Sequence, residues 1–238
     1  MGRVGVIHFD AHADTGYSEF GSLLGHGQPM RRLLESGAVR GDRFVQIGLR
    51  RYWPDAETLA WMSGQGMRSY EMAEIVARGL DRCLDEAFAT VTDGRDAVFL
   101  SVDIDVVDPG MAPGTGTPEP GGFTARQLLD AVRRVARELP LVGADVVEVS
   151  PLYDRRHGDA ANRVVLEALS GIARRPRGWR TSRSARHPEG RAPGGGGRSS
   201  RGLRARIAPG APDRDGRYRP GRTPPRTHCS RSHRSPNR

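Results

Sequence analysis

A chain of 238 residues carrying a formal net charge of +9 is long enough for one α/β domain with a substantial core, and its bulk charge suggests a nucleic-acid binder. The distribution of that charge argues otherwise: all 37 basic residues are Arg, and 19 of them lie from Arg174 onward against only Glu189, Asp213 and Asp215 (net +16), leaving 18 Arg against 25 acids (net −7) in residues 1–173. Two cysteines, Cys83 and Cys229, with no CxxC or Cys/His spacing exclude a disulfide framework and a structural zinc site, and no apolar run reaches the roughly 18–20 residues a membrane span needs, so a soluble cytoplasmic protein is expected.

Val4 to Phe9 (VGVIHF) is a nearly continuous apolar run ending in acids, the pattern of a parallel strand buried on both faces whose carboxyl end opens into a site. Arg43 to Gly48, Ala97 to Val102 and Val142 to Val149 read the same way. Between them Gly25 to Ser36, Met72 to Thr90 and Thr124 to Glu138 have apolar residues at helical spacing, with Thr124 placed to cap the last. Alternating strands and helices predict a mainly parallel sheet.

A final helix is expected over Ala160 to Ala173, where Val164, Val165, Leu166, Leu169 and Ile172 form a broad apolar face. Residues 1–173 are thus read as a catalytic domain. Residues 174–238, rich in Arg, Gly, Pro and Ser, hold too little apolar surface to offset the entropy of ordering, and are expected to be a disordered tail arising from a frameshift or read-through. Because Met1 and Gly2 lead directly into a strand that should be central, the domain is expected to be incomplete at its N-terminus.

Asp10, His12 and Asp14 follow the first strand at i, i+2 and i+4, so an extended backbone would project all three from one face. Asp103 and Asp105 repeat this after Val102, and Asp108 with Pro109 then turns the chain. Four carboxylates and one imidazole make a hard, oxygen-rich set suited to Mn²⁺ or Mg²⁺. So many acids together imply two cations, because like charges a few Å apart would otherwise force protons onto some of them, and two ions can share and deprotonate one water. His8, alone inside its strand, reads as a hydrogen-bonded core residue instead of a ligand.

The blocks FDAHAD, SVDIDVVDPGMAPGTGTPEPGG and DVVEVSPLYD resemble three defining blocks of the ureohydrolases, the arginase and agmatinase family, over about residues 3 to 173. The resemblance implies a three-layer α/β/α fold and a binuclear Mn²⁺ centre at the carboxyl ends of the strands. Asp10 and Asp103 would bridge the ions, His12 and Asp105 would complete one shell, and Asp14 would bind the other ion. Glu148 (EVSPLYD) matches the carboxylate that pairs with the guanidinium, and His26 (LGHGQP) the histidine that relays a proton to the departing amine. His26, Asp105 and Glu148 are therefore the candidate catalytic residues, and His26 and Glu148 the candidate substrate-binding ones. The family's upstream Gly-Gly-Asp-His-Ser block has no counterpart, so the ion held by Asp10, Asp14 and Asp103 would lack a histidine, and weak occupancy and little activity are expected of the chain as it stands. Arg155 to Asp159 (RRHGD) also departs from the family pattern.

EVSP and the RRYWP segment from Arg50 to Pro54 resemble agmatinases and guanidinobutyrases more than arginases. Agmatine is the expected substrate, hydrolysed to putrescine and urea in polyamine metabolism. A 4-guanidinobutyrate-type acid is the alternative, its carboxylate met by Arg50 and Arg51, with an arginase-type reaction further off. The family also implies a homo-oligomer, trimer or hexamer. An inactive fragment, or nonspecific nucleic-acid binding by the basic tail, is the reading of a different class. With Trp179 and Tyr218 its only large aromatics, the tail has no interleaved stacking platform, so nucleic acid is not an expected partner.

Overall fold

A computed structural model describes residues 4–50, 54–93, 97–153 and 156–176, with the side chains of 156–158 excepted. The expected tail therefore lies, beyond Pro176, outside the described residues, as do Arg51 and Arg155.

Five parallel strands form one sheet: β1 (Val4–Phe9), β2 (Phe44–Leu49), β3 (Arg68–Glu71), β4 (Ala97–Asp103) and β5 (Leu141–Val147), in the order β3-β2-β1-β4-β5. β1 is central because it is apolar on both faces, with Ile7 and Phe9 fully buried on one side and Val6 on the other. The connections are α1 (Pro29–Glu35), α2 (Ala56–Gly64), α3 (Met72–Arg78), α4 (Leu80–Thr92) and α5 (Ala125–Glu138), and α6 (Arg156–Ala173) follows β5.

The larger core joins Ile7, Phe9, Val45, Ile47, Leu100 and Val102 to the apolar sides of α3, α4, α5 and α6. The opposite face packs Val6 and Phe44 against Leu34 of α1, with Trp61 of α2 alongside. The result is the expected three-layer α/β/α arrangement. Contact with α4 is close at Gly5, where a Cβ would fall 2.4 Å from the carbonyl oxygen of Val91.

Several boundaries differ from the sequence reading for local reasons. The single helix expected over Met72 to Thr90 is two, since Gly79 takes φ 88° between α3 and α4, a conformation that breaks the helical ladder. β3 and α2 escaped notice: β3 is a four-residue edge strand of sequence RSYE, too short and polar to show periodicity. At α5 the expected cap is a full capping box, with Thr124 Oγ1 accepting from the Gln127 N–H and Gln127 Oε1 accepting from the Thr124 N–H.

Among the described residues β5 ends the sheet. A cleft of about 480 Å³ opens between β5 and α6, lined by Leu141, Val146, Val164, Ala168, Leu169 and Ile172. Val142 and Leu169 remain more than half exposed along this side. No helix among the described residues is long and apolar enough to cross a membrane.

Candidate metal centre

The acids gather at the carboxyl ends of β1, the middle strand, and its neighbour β4, where Phe9 pairs with Val102 and the chain leaves the sheet on both strands. Asp10, Asp103 and Asp105 are almost wholly buried, and His12 is 8% exposed. Neither segment stays extended as expected. Asp14 adopts φ 52°, and Ile104–Val106 is a turn of 3-10 helix. The side chains are brought together by this curling and not by strand alternation: Asp103 accepts from the Asp105 N–H (2.9 Å), and Asp10 from the His12 N–H (2.6 Å). Such short loops from a carboxylate to the amide two residues on are a common way for Asp to fold the chain on itself.

Two sets of potential ligand atoms result, each within 4.8 Å: His8 with Asp10 and Asp14, and Asp10 with His12 and Asp105. Asp10 belongs to both. His12 Nδ1 lies 2.9 Å from Asp105 Oδ2 and 3.5 Å from Asp10 Oδ1. Thr117, which no sequence pattern singled out, donates its hydroxyl to Asp105 Oδ2 (3.3 Å), and the Ala11 N–H donates to Asp105 Oδ1 (3.1 Å). Asp103 stands outside both sets. Its Oδ1 serves the turn at Asp105, though it lies close enough to Asp10 to feel its charge.

The electrostatics are those of a site short of positive charge. Burial and the Asp10 and Asp105 charges push Asp103 up to about 11. Burial and Asp10 lift Asp14 to about 7. For Asp10 burial acts upward too, but His8 and His12 outweigh it and hold it down at about 2. His12 is opposed by burial, yet its bonds to Asp10 and Asp105 raise it to about 10. Divalent cations would relieve this shortage of positive charge; the buried His12 Nε2 has no hydrogen-bond partner, while His8 Nε2 and Asp10 Oδ2 face each other at 3.0 Å. An oxygen-rich donor set with one or two imidazoles and an unpartnered ring nitrogen on His12 fits a hard divalent cation such as Mn²⁺ or Mg²⁺.

His26 and Glu148 flank this cluster. Glu148 follows β5 with φ 56°, a strained conformation for a residue with a side chain, and its Oε1 meets His26 Nδ1 at 2.5 Å. That bond, reinforced by the Glu148 charge, raises the His26 pKa, with smaller contributions from Glu19 and Asp14. The His26 side chain is 87% exposed, so the pair lies toward solvent, near enough to the cluster for the Asp14 charge to reach His26.

Arg50 is not free to receive a substrate carboxylate. Its guanidinium donates to the carbonyl oxygens of Gly48, Asp105, Val106, Glu119 and Pro120, lacing β2 to the loop over the site. Asp108 pins the other flank of that loop, accepting from the Gly110 and Gly121 N–H groups, which lower its pKa.

A parallel α/β sheet with a carboxylate–imidazole cluster at the carboxyl ends of its central strands defines a protein built around a candidate dinuclear metal centre. Residues 1–171 match the arginase family, and the chain belongs to it. Guanidinobutyrase of Pseudomonas aeruginosa is 44% identical over 153 residues, covering 64% of this chain and 47% of that protein. Guanidinopropionase of the same organism is 47% identical over 154 residues, covering 63% and 47%. Among solved structures, formimidoylglutamase of Bacillus subtilis superposes with a TM-score of 0.70 at 35% identity, over 74% of this chain and 55% of that one. The chain thus spans about half the length of the curated relatives it matches.

Proposed function

We propose that this chain carries the metal-binding and guanidinium-binding part of a binuclear Mn²⁺ hydrolase that converts agmatine to putrescine and urea. The observation that carries the reading is Asp10, one buried carboxylate common to two sets of ligands. In this reading Asp10, His12, Asp14, Asp103 and Asp105 hold two Mn²⁺ ions. When bound, the ions would supply an activated water at neutral pH and offset the crowded carboxylates.

The remaining steps fall to side chains. Glu148 faces the planar guanidinium with a carboxylate, a match of charge and shape. His26, with Nδ1 held by Glu148, presents Nε2 to protonate the departing amine. Asp105 Oδ2, between His12 and Thr117, is the place for a proton taken from the attacking water. Agmatine is favoured over a guanidino acid because Glu19, the acid that bears on His26 without being assigned to metal or guanidinium, suits a cationic tail, while Arg50 is committed to carbonyl groups.

A guanidino acid is the second reading, on the strength of the names of the two Pseudomonas aeruginosa relatives. Urea release with saturating Mn²⁺ from agmatine, 4-guanidinobutyrate, 3-guanidinopropionate and arginine separates the two. A highest kcat/KM on agmatine is expected. Turnover of the acids with agmatine inert would replace the first reading by the second, and no release from any of the four would remove hydrolysis from this chain.

A further inference from the structure

The register of the sheet sets a row of polar residues directly beneath the metal centre. Ser69 pairs with Gln46, Gln46 with His8, His8 with Ser101, and Ser101 with Asp145, so one polar side chain from each of the five strands lies at a single level on the same face. Asp10 and Asp103 stand two residues further along β1 and β4, one pleat above. Such a row is costly in a parallel sheet interior unless its members serve one another; the wholly buried Gln46 and His8 do so, whereas Ser101 Oγ and Asp145 Oδ1 have no hydrogen-bond partner.

The left half of the row fixes the chemistry of His8. Ser69 Oγ donates to Gln46 Oε1 (3.2 Å), and Gln46 Nε2 donates to the Ala13 carbonyl (2.7 Å), which settles which end of the amide is nitrogen. The second hydrogen of that same nitrogen then faces His8 Nδ1 at 3.3 Å. A donor there requires Nδ1 to accept, so the neutral ring carries its proton on Nε2. Nε2 sits 3.0 Å from Asp10 Oδ2, and neither atom has another polar partner.

We propose that His8 is a positioning residue for the metal centre: through the Ser69–Gln46 relay it is held as the Nε2–H tautomer and fixes the orientation of the shared carboxylate Asp10. His8 is then no ligand, although its place beside Asp10 and Asp14 would allow one. The inference rests on the reading of Asp10 as the carboxylate shared by two ions. Groups that orient metal-binding side chains in this way typically contribute roughly 10–100-fold to metal affinity.

The test uses the full chain and Mn²⁺ itself, titrated by electron paramagnetic resonance, in the wild type and in His8→Gln and His8→Leu. A glutamine places its amide nitrogen where Nε2 stood and keeps the donor, whereas leucine removes it. His8→Gln is expected to bind Mn²⁺ within a few-fold of the wild type, and His8→Leu roughly 10–100-fold more weakly. The imidazole nitrogen coupling seen on bound Mn²⁺ should be that of His12 alone and survive in His8→Gln. Loss of an imidazole coupling in His8→Gln would make His8 a ligand and overturn the proposal, as would unchanged affinity in His8→Leu. If the wild type binds no Mn²⁺, the metal reading itself fails, and ring-nitrogen NMR shifts at alkaline pH still decide the tautomer. A protonated Nε2 with bare Nδ1 supports the relay, and the reverse overturns it.

Discussion

His26 and Glu148, 122 residues apart in sequence, are joined by a 2.5 Å contact between Nδ1 and a carboxylate oxygen. Glu148 is the first cause of the raised His26 pKa. Removing that charge with Glu148→Gln should let the His26 pKa fall toward its ordinary value near 6.5. An NMR titration of the His26 ring checks this, and an unmoved midpoint would break the assigned link. The same substitution should weaken binding of any guanidinium substrate more than it weakens binding of Mn²⁺.

Without metal, stability should decline as pH rises. Asp14 and Asp103 have folded pKa values of about 7 and about 11, above the ordinary carboxyl value, so the folded protein holds more protons than the unfolded one over those ranges. His12, raised to about 10, adds stability that is complete below about 6.5 and lost as pH rises through 10. Asp10, lowered to about 2, acts the other way only in strong acid, its contribution fading as pH falls from 3.8 through 2. Melting temperatures measured in chelator from mildly acidic to alkaline pH should therefore fall. Mn²⁺ should reverse the trend above neutrality, because binding displaces those protons.

Asp10→Asn should abolish both proposed metal sites at once, since the one carboxylate belongs to both sets of potential ligand atoms. Asp14→Asn should weaken one ion and spare the other. Counting bound Mn²⁺ by equilibrium dialysis distinguishes them: near zero for the first variant and about half of the wild-type value for the second.

Gly48→Ala tests how tightly the floor is built. Gly48 has φ 110°, and a Cβ there would come within 2.5 Å of Val106 Cγ2 and 3.1 Å of the Asp10 carbonyl oxygen. Strain and overpacking together should cost about 2–4 kcal/mol, read from urea denaturation. Thr124→Ala, which removes one half of the α5 capping box, should cost only about 1 kcal/mol and leave metal binding intact.

Much of this architecture could be read from sequence because its signals are local. The apolar run Val4 to Phe9 and the acids after it announced a buried strand opening into a site, and Thr124 announced the start of α5. What escaped depends on contacts distant in sequence. The commitment of Arg50 to carbonyls some 55–70 residues away turned a candidate carboxylate receptor into a loop clasp. Thr117 reaches Asp105 only because the loop folds back over the strand ends. His8 was legible as a hydrogen-bonded core residue, but its partner Gln46 was not, being 38 residues away in a strand whose pairing register no local pattern fixes. The positive φ of Asp14 and Glu148 is also invisible in a residue alphabet where only glycine advertises such conformations.

The open side of β5 bears on the life of the chain in a cell. Val142 on the strand and Val165 and Leu169 on α6 present greasy surface beside backbone amides with no neighbouring strand among the described residues. Such a border invites strand capture by whatever extended polypeptide is nearby, including nascent copies of itself. Raising the concentration of the chain should accordingly favour association through that border.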